Sequence, residues 1–327
     1  ICAAENIITP DGTIHNKKGD LVDTVTTGKD GIAVSKTLYL GKYSIKETHA
    51  PYGMVLNDEV HIVELTYADQ TVKLTETATS FFNDRQKVKV DLGKWLETNE
   101  EFDIGTNGEI KNISFGLFAE KEIVSASGTS IPADGLIEII TLDEKGNGYV
   151  NTDLPFGSYY VKELSTDEHY ILSDKKYPVV FEYEGEKTST VELTVNNSEP
   201  IMNELIYGSV SGRKVDENGE PLGGAVIGLF KSTDVEFTEE NASLTTVSAE
   251  DGSFSFSDIP YGTWYIREIE QPTGFVLNDT VYPVTVNADG DVVEIEIVNA
   301  FIRGKIKTTK VDADYPENKL TGAVFEL

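Results

Sequence analysis

Apolar and polar residues alternate along this chain in short runs, broken every few residues by Gly, Asn, Asp or Pro. Period-two alternation is the mark of half-buried β-strands, and the long 3.6-residue periodicity of amphipathic helices is absent. The clearest runs are Gly41-Lys42-Tyr43-Ser44-Ile45-Lys46-Glu47, Gly157-Ser158-Tyr159-Tyr160-Val161-Lys162-Glu163 and Gly262-Thr263-Trp264-Tyr265-Ile266-Arg267-Glu268. Successive strand side chains point to opposite faces. Tyr43, Ile45 and Glu47 therefore share a face, as do Tyr159, Val161 and Glu163, and Trp264, Ile266 and Glu268. An aromatic beside an Ile or Val marks the core face, so three carboxyls point at the core in one register. A buried carboxyl needs a proton or a partner.

These runs belong to a longer internal repeat. Each is followed by a turn and a related segment: Ala50-Pro51-Tyr52-Gly53-Met54-Val55-Leu56-Asn57-Asp58, the looser His169-Tyr170-Ile171-Leu172-Ser173-Asp174, and Gln271-Pro272-Thr273-Gly274-Phe275-Val276-Leu277-Asn278-Asp279. Each copy closes with an Asn in phase with the apolar residue two before it: Phe81 and Asn83, Ile201 and Asn203, Ile297 and Asn299. A Lys-Val-Asp run follows each, at Lys89, Lys214 and Lys310, and two of these lead to Gly224-Ala225-Val226 and Gly322-Ala323-Val324. Strand-length runs with Asp-Gly turn signals at Asp11, Asp30, Asp251 and Asp289 predict an all-β protein of tandem sandwiches. The expected units are 1–86, lacking its first strand, 87–206, 207–302, and a partial unit at 303–327. The short linker from Asn83 to Lys89 predicts domains stacked as a rod. Aligned on the repeat, the tail from Gly304 to Leu327 is the start of a unit like the first. Either the chain is a window on a longer tandem array, or its tail completes a neighbouring molecule.

Composition narrows the chemistry. A net charge of −29 over 327 residues argues against nucleic acid and anionic membrane as partners. The single Cys2 excludes an internal disulfide framework and a Cys-based zinc site, and His15, His49, His61 and His169 have no metal-ligand spacing. The Asp/Asn/Gly clusters at 143–153 and 287–291 read as hairpin turns, because their spacing matches no EF-hand. No nucleophile–base pair, phosphate loop or cofactor motif appears, so neither turnover catalysis nor a cofactor is expected.

Taken together, the Lys-Val-Asp strand, Gly-Ala-Val-Phe-Glu-Leu at 322–327, Gly-Lys-Tyr-Ser-Ile-Lys-Glu-Thr-His-Ala-Pro-Tyr-Gly at 41–53 and the closing Asn resemble the B-type repeats of Gram-positive collagen adhesins and pilins. The resemblance covers essentially the whole chain. It implies prealbumin-like, Ig-related Greek-key sandwiches in which a first-strand Lys and a last-strand Asn form an intramolecular isopeptide bond promoted by a Glu. Carried over by position, the triads are Lys89, Glu163 and Asn203, and Lys214, Glu268 and Asn299. Strand alternation does not place these lysines inward, since Val88 and Val90 flank Lys89 on the opposite face, as Val215 does Lys214; Lys87 is the leading competitor in the second repeat. The first repeat holds Glu47 and Asn83, and Lys310 is the matching lysine, reachable only between molecules or repeat units. The irregular insertion around Leu92–Lys111 departs from the family pattern.

Desolvation favours a neutral lysine amine and a protonated carboxyl, and folding supplies the proximity that an amide electrophile requires. The implied function is a structural stalk of an extracellular, cell-wall-anchored adhesin or pilus-like fibre, with neighbouring repeats as partners. The alternative is an adhesive module that recognises a host matrix protein or glycan through its loops.

Overall fold

The computed structural model describes residues 1–124 and 128–326, so Leu327 lies outside the described residues. The repeating Gly-to-Glu runs form the central strands of one sheet in each repeat. In the first repeat, β1 (Cys2–Ala3), β4 (Gly41–Lys46) and β5 (Val60–Leu65) form a three-stranded sheet, beside a small hairpin of β2 (Ile7–Ile8) and β3 (Ile14–Asn16). Ala3, Ile7, Val22 and Tyr43 pack together as its core.

In the second repeat, β6 (Lys87–Leu96), β7 (Ser114–Ala119), β8 (Ile123–Val124), β9 (Ser130–Ile131), β10 (Leu136–Thr141), β11 (Asn147–Tyr149), β12 (Gly157–Ser165), β13 (Lys176–Phe181), β14 (Thr190–Thr194) and β15 (Ile201–Asn203) follow in order. One sheet has the order β10-β7-β12-β13; the other has β11-β6-β14, with β15 also paired to β6. The third repeat contains β16 (Tyr207–Asp216), β17 (Val226–Lys231), β18 (Leu244–Val247), β19 (Ser253–Pro260), β20 (Gly262–Glu270), β21 (Tyr282–Val286) and β22 (Val292–Asn299). Its sheets repeat the arrangement as β18-β17-β20-β21 and β19-β16-β22.

The first strand of each complete repeat therefore runs parallel to a strand near its end: β6 beside β14, and β16 beside β22. The first repeat, among its described residues, has the counterpart of the Glu-bearing sheet alone. Two compact units emerge: residues 1–95, 108–166 and 172–202, and residues 96–107, 167–171 and 203 onward. In the second unit the irregular insertion has a packing role. Its Phe102 and Ile104 are buried in the core of the third repeat, and Phe102 meets Trp264 edge-on at 4.7 Å.

Alternation on the Glu strands is as the pattern requires. Tyr159, Val161 and Glu163 are buried, and so are Trp264, Ile266 and Glu268. Each buried aromatic satisfies its polar atom in the same way. Tyr43 Oη donates to the Tyr39 carbonyl, Tyr159 Oη to Pro155 and Trp264 Nε1 to Pro260, each four residues back. A buried Tyr or Trp keeps its packing benefit only when that group finds an acceptor.

The chain leaving each Asn is held at once by backbone pairing. Val55 N–H donates to Asp84 O and Gln86 N–H to Gly53 O; Ile171 to Glu204 and Ile206 to His169 repeat this, as do Val276 to Ala300 and Ile302 to Gly274. The segments after the three asparagines are short paired strands, which explains how Met54, Tyr170 and Phe275 come to bridge Arg85, Leu205 and Phe301.

Candidate functional site: a buried lysine, glutamate and asparagine

The third repeat shows the site complete. Lys214 continues the inward phase of β16 set by Val210 and Gly212, and its side chain is fully buried. In the parallel ladder it lies opposite Ile297, and Asp216 opposite Asn299. Glu268 comes from the facing sheet, opposite Ile227 on β17. Across this core, Lys214 Nζ donates to Asn299 Oδ1 at 2.5 Å and to the Ile297 carbonyl at 3.2 Å. It lies 3.6 Å from Glu268 Oε1. Asn299 Nδ2 donates to both Glu268 oxygens at 2.9 Å. Burial pushes the Lys214 ammonium below its usual range, partly opposed by the Glu268 charge.

In the second repeat the buried lysine is Lys94, which the sequence reading missed. Lys94 and Glu163 are both fully buried, with Nζ and Oε1 3.8 Å apart. Burial lowers the Lys94 ammonium from a lysine's usual 10.5 to about 8, against the opposing pull of Glu163. Lys89 is corrected: its side chain is half exposed, and its Nζ lies 3.4 Å from Asp91 and over the Tyr149 ring at 6.0 Å, away from Glu163. Lys87 is exposed too. The reason is the period-two phase of β6. Val90, Leu92 and Lys94 point inward, while Lys87 and Lys89 point out. Lys94 occupies the eighth position of its ten-residue strand, as Lys214 does in β16. Asn203 ends β15, is 2 % exposed, and its backbone carbonyl accepts the Glu97 N–H.

Both buried lysines are seated by a turn glycine. Lys94 N–H donates to Gly146 O at 2.8 Å, and Lys214 N–H to Gly252 O at 2.7 Å. Both glycines are left-handed, at φ +80° and +77°, and a Cβ on either would collide with the carbonyl oxygen of its lysine. Gly252→Ala is therefore expected to destabilise the third repeat by about 1–3 kcal/mol through backbone strain alone, with the clash adding to it. The check is a denaturant midpoint measured in a Glu268→Ala background.

In the first repeat, Asn83 Nδ2 donates to Glu47 Oε2 at 2.6 Å and to Val55 O at 2.9 Å. Among the described residues no lysine pairs with either side chain. Lys310 is exposed, in a hairpin where its carbonyl accepts the Leu320 N–H. Asp143 accepts the backbone N–H groups of Lys145 and Asn147, so that acidic cluster is a turn; no metal-binding cluster occurs among the described residues.

The fold and this buried triad define an all-β, multi-domain protein with a charged cluster sealed between the sheets of a sandwich. The prealbumin-like fold domain model of the SpaA family matches residues 11–79, 98–199 and 208–300, and the chain belongs to that family. It is 36 % identical over 76 residues to the trypsin-resistant surface T6 protein of Streptococcus pyogenes serotype M6, covering 23 % of this chain and 14 % of that protein. Among solved structures it is similar to the Bacillus anthracis TIE protein, with TM-score 0.61 and 22 % identity over 84 % of this chain and 45 % of the other. BcpA, the major pilin subunit of Bacillus cereus, aligns with 17 % identity and TM-score 0.37, over 90 % of this chain and 93 % of the other. The chain thus spans less than half the length of the T6 and TIE proteins.

Proposed function

We propose that the chain is a structural shaft segment of a bacterial cell-surface adhesin or pilus-like fibre, braced by amide bonds that its own buried triads form. The carrying observation is the third repeat, where a desolvated amine touches an amide that a carboxyl already grips through both oxygens. Lys214 Nζ attacks Asn299 Cγ. The new C–N bond forms as the bond to Nδ2 breaks, and Glu268 relays the amine proton to the departing nitrogen, which leaves as ammonia. Proximity supplies most of what an unactivated amide requires. The reaction occurs once per domain and is maturation rather than turnover.

By the equivalence of β6 with β16, Lys94, Glu163 and Asn203 do the same in the second repeat. The units 1–86, 87–206, 207–302 and 303–327 remain the proposed domain division. The first repeat offers a Glu47–Asn83 acceptor for a lysine strand of the Lys310 type, supplied by another repeat or molecule. The proposed shaft lies outside the cell, with neighbouring repeats as its partners, a reading supported by the surface-protein relative and the family.

Peptide mapping by mass spectrometry tests this reading. A branched peptide joining the Lys214 and Asn299 segments is expected, and linear peptides alone would refute it.

The chemistry also sets a pH dependence. The Lys94–Glu163 pair shares one proton in both its ion-pair form and its reactive form, a neutral amine beside a protonated carboxyl. The rate of ammonia loss in the second repeat should therefore fall as the pH rises through about 8, where the pair loses that proton. For an Asn203→Ala precursor the sign for stability is the opposite. Between about 8 and 10.5 the unfolded chain binds a proton that the folded chain has released. Stability there should rise by up to about 1.4 kcal/mol per pH unit. Stopped-time intact mass and denaturant midpoints across pH measure the two effects.

A further inference from the structure

The Leu-Asn-Asp run shared by residues 56–58 and 277–279 has no part in the triad chemistry above, yet its Asn makes the same bonds in both repeats. In the third repeat, the Asn278 backbone N–H donates to Glu268 Oε2 at 2.7 Å. Its side-chain Nδ2 donates to the Val298 carbonyl at 2.9 Å and to Tyr282 Oη at 3.0 Å, and its Oδ1 accepts the Thr280 N–H at 2.9 Å. In the first repeat, Asn57 N–H donates to Glu47 Oε2 at 2.8 Å, Nδ2 to the Phe82 carbonyl at 2.9 Å, and Oδ1 accepts from Glu59 N–H at 2.8 Å. Val298 and Phe82 are the residues immediately before Asn299 and Asn83. One residue thus holds the carboxyl with its backbone and the closing strand with its side chain. The arrangement is present in the first repeat, where among the described residues no lysine pairs with Glu47 or Asn83, so it belongs to the Glu–Asn half of the site. In the second repeat, Ser173 N–H keeps the bond to Glu163 Oε2 at 2.9 Å, but the shorter Ser173 side chain accepts from Lys175 N–H.

We propose that Asn278, and Asn57 in the first repeat, is a positioning residue that fixes the reactive asparagine against its glutamate and so sets the rate of amide formation. This rests on the isopeptide reading above. The clamp acts on the strand rather than on the reacting atoms. Its loss leaves Glu268 held by the backbone N–H, but frees the Val298–Asn299 step to shift. Displacements of an ångström at a reacting pair cost rate steeply, so a slowing of about tenfold or more is expected.

The test follows the full chain after cell-free synthesis and quantifies the branched Lys214–Asn299 peptide with time. Trp264 fluorescence, read in a Trp95→Phe background so that Trp264 is the sole tryptophan, reports the folded fraction in parallel. Asn278→Ala removes the whole side chain. Asn278→Asp keeps the acceptor for Thr280 N–H and removes the Nδ2 donor to Val298 O and Tyr282 Oη; Tyr282→Phe, which removes the second contact alone, separates the two. Slowing of both per folded molecule supports the proposal. Rates per folded molecule equal to the parent's overturn it, since a merely structural role would change only the folded fraction. If both variants unfold, Ser173→Asn decides: faster bond formation in the second repeat supports the clamp, and an unchanged rate overturns it. A parent chain that never yields the branched peptide would bring down the isopeptide reading itself, and this proposal with it.

Discussion

Glu268→Ala is expected to lower the unfolding midpoint of the third repeat by roughly 20–35 °C. Without the carboxyl the amine has no proton relay, so the bond between Lys214 and Asn299 does not form. That bond closes a loop spanning 85 positions. Treated like a disulfide of that span, it contributes roughly 4–5 kcal/mol through the unfolded chain's lost entropy. For a domain of about a hundred residues, each kcal/mol moves the midpoint by roughly 4–8 °C. The buried Lys214, left without its carboxylate partner, adds to the loss. Differential scanning calorimetry should show one transition moved far down and the intact mass raised by one ammonia. An unmoved transition with an unchanged mass would show that Glu268 promotes nothing.

Lys94→Ala and Lys89→Ala should differ completely in their effect on the second repeat. Lys94 is the buried amine beside Glu163, so its removal abolishes that repeat's ammonia loss and its cross-link. By the same loop-closure reasoning the lost cross-link is expected to cost roughly 4–5 kcal/mol. Lys89 is half exposed and meets Asp91 and the Tyr149 ring, surface contacts worth at most about 1 kcal/mol each. Lys89→Ala should therefore cross-link as the parent does. Cross-linking lost with Lys89→Ala and kept with Lys94→Ala would overturn the assignment.

The fold was legible because it rests on local periodicity. Tyr159, Val161 and Glu163 face one way by the geometry of a strand, and the same triplet at Trp264, Ile266 and Glu268 made the inward carboxyl visible in sequence. Lys89 misled because the Lys-Val-Asp run matched Lys214 in spelling while lying out of phase on its strand. The legible signal was the phase itself: Val90 and Leu92 lead inward to Lys94. The closing strand also differs between the two repeats. In the third repeat the closing strand β22 runs unbroken to Asn299. In the second, β14 stops at Thr194, and Asn196, Asn197 and Ser198 take left-handed backbone before β15 resumes. Lys94 nevertheless keeps the eighth strand position that Lys214 holds, so the Lys-Val-Asp spelling, and not the buried lysine, is what shifted between the repeats. The positioning role of Asn278 was hidden differently, since it is made by a backbone N–H and a side-chain contact twenty positions away.

The intact mass of the purified full chain, measured under denaturing conditions, tests the central claim most directly. The account predicts a value below the sequence mass by two ammonia molecules, one from Lys94 with Asn203 and one from Lys214 with Asn299. A mass equal to that of the sequence would contradict it.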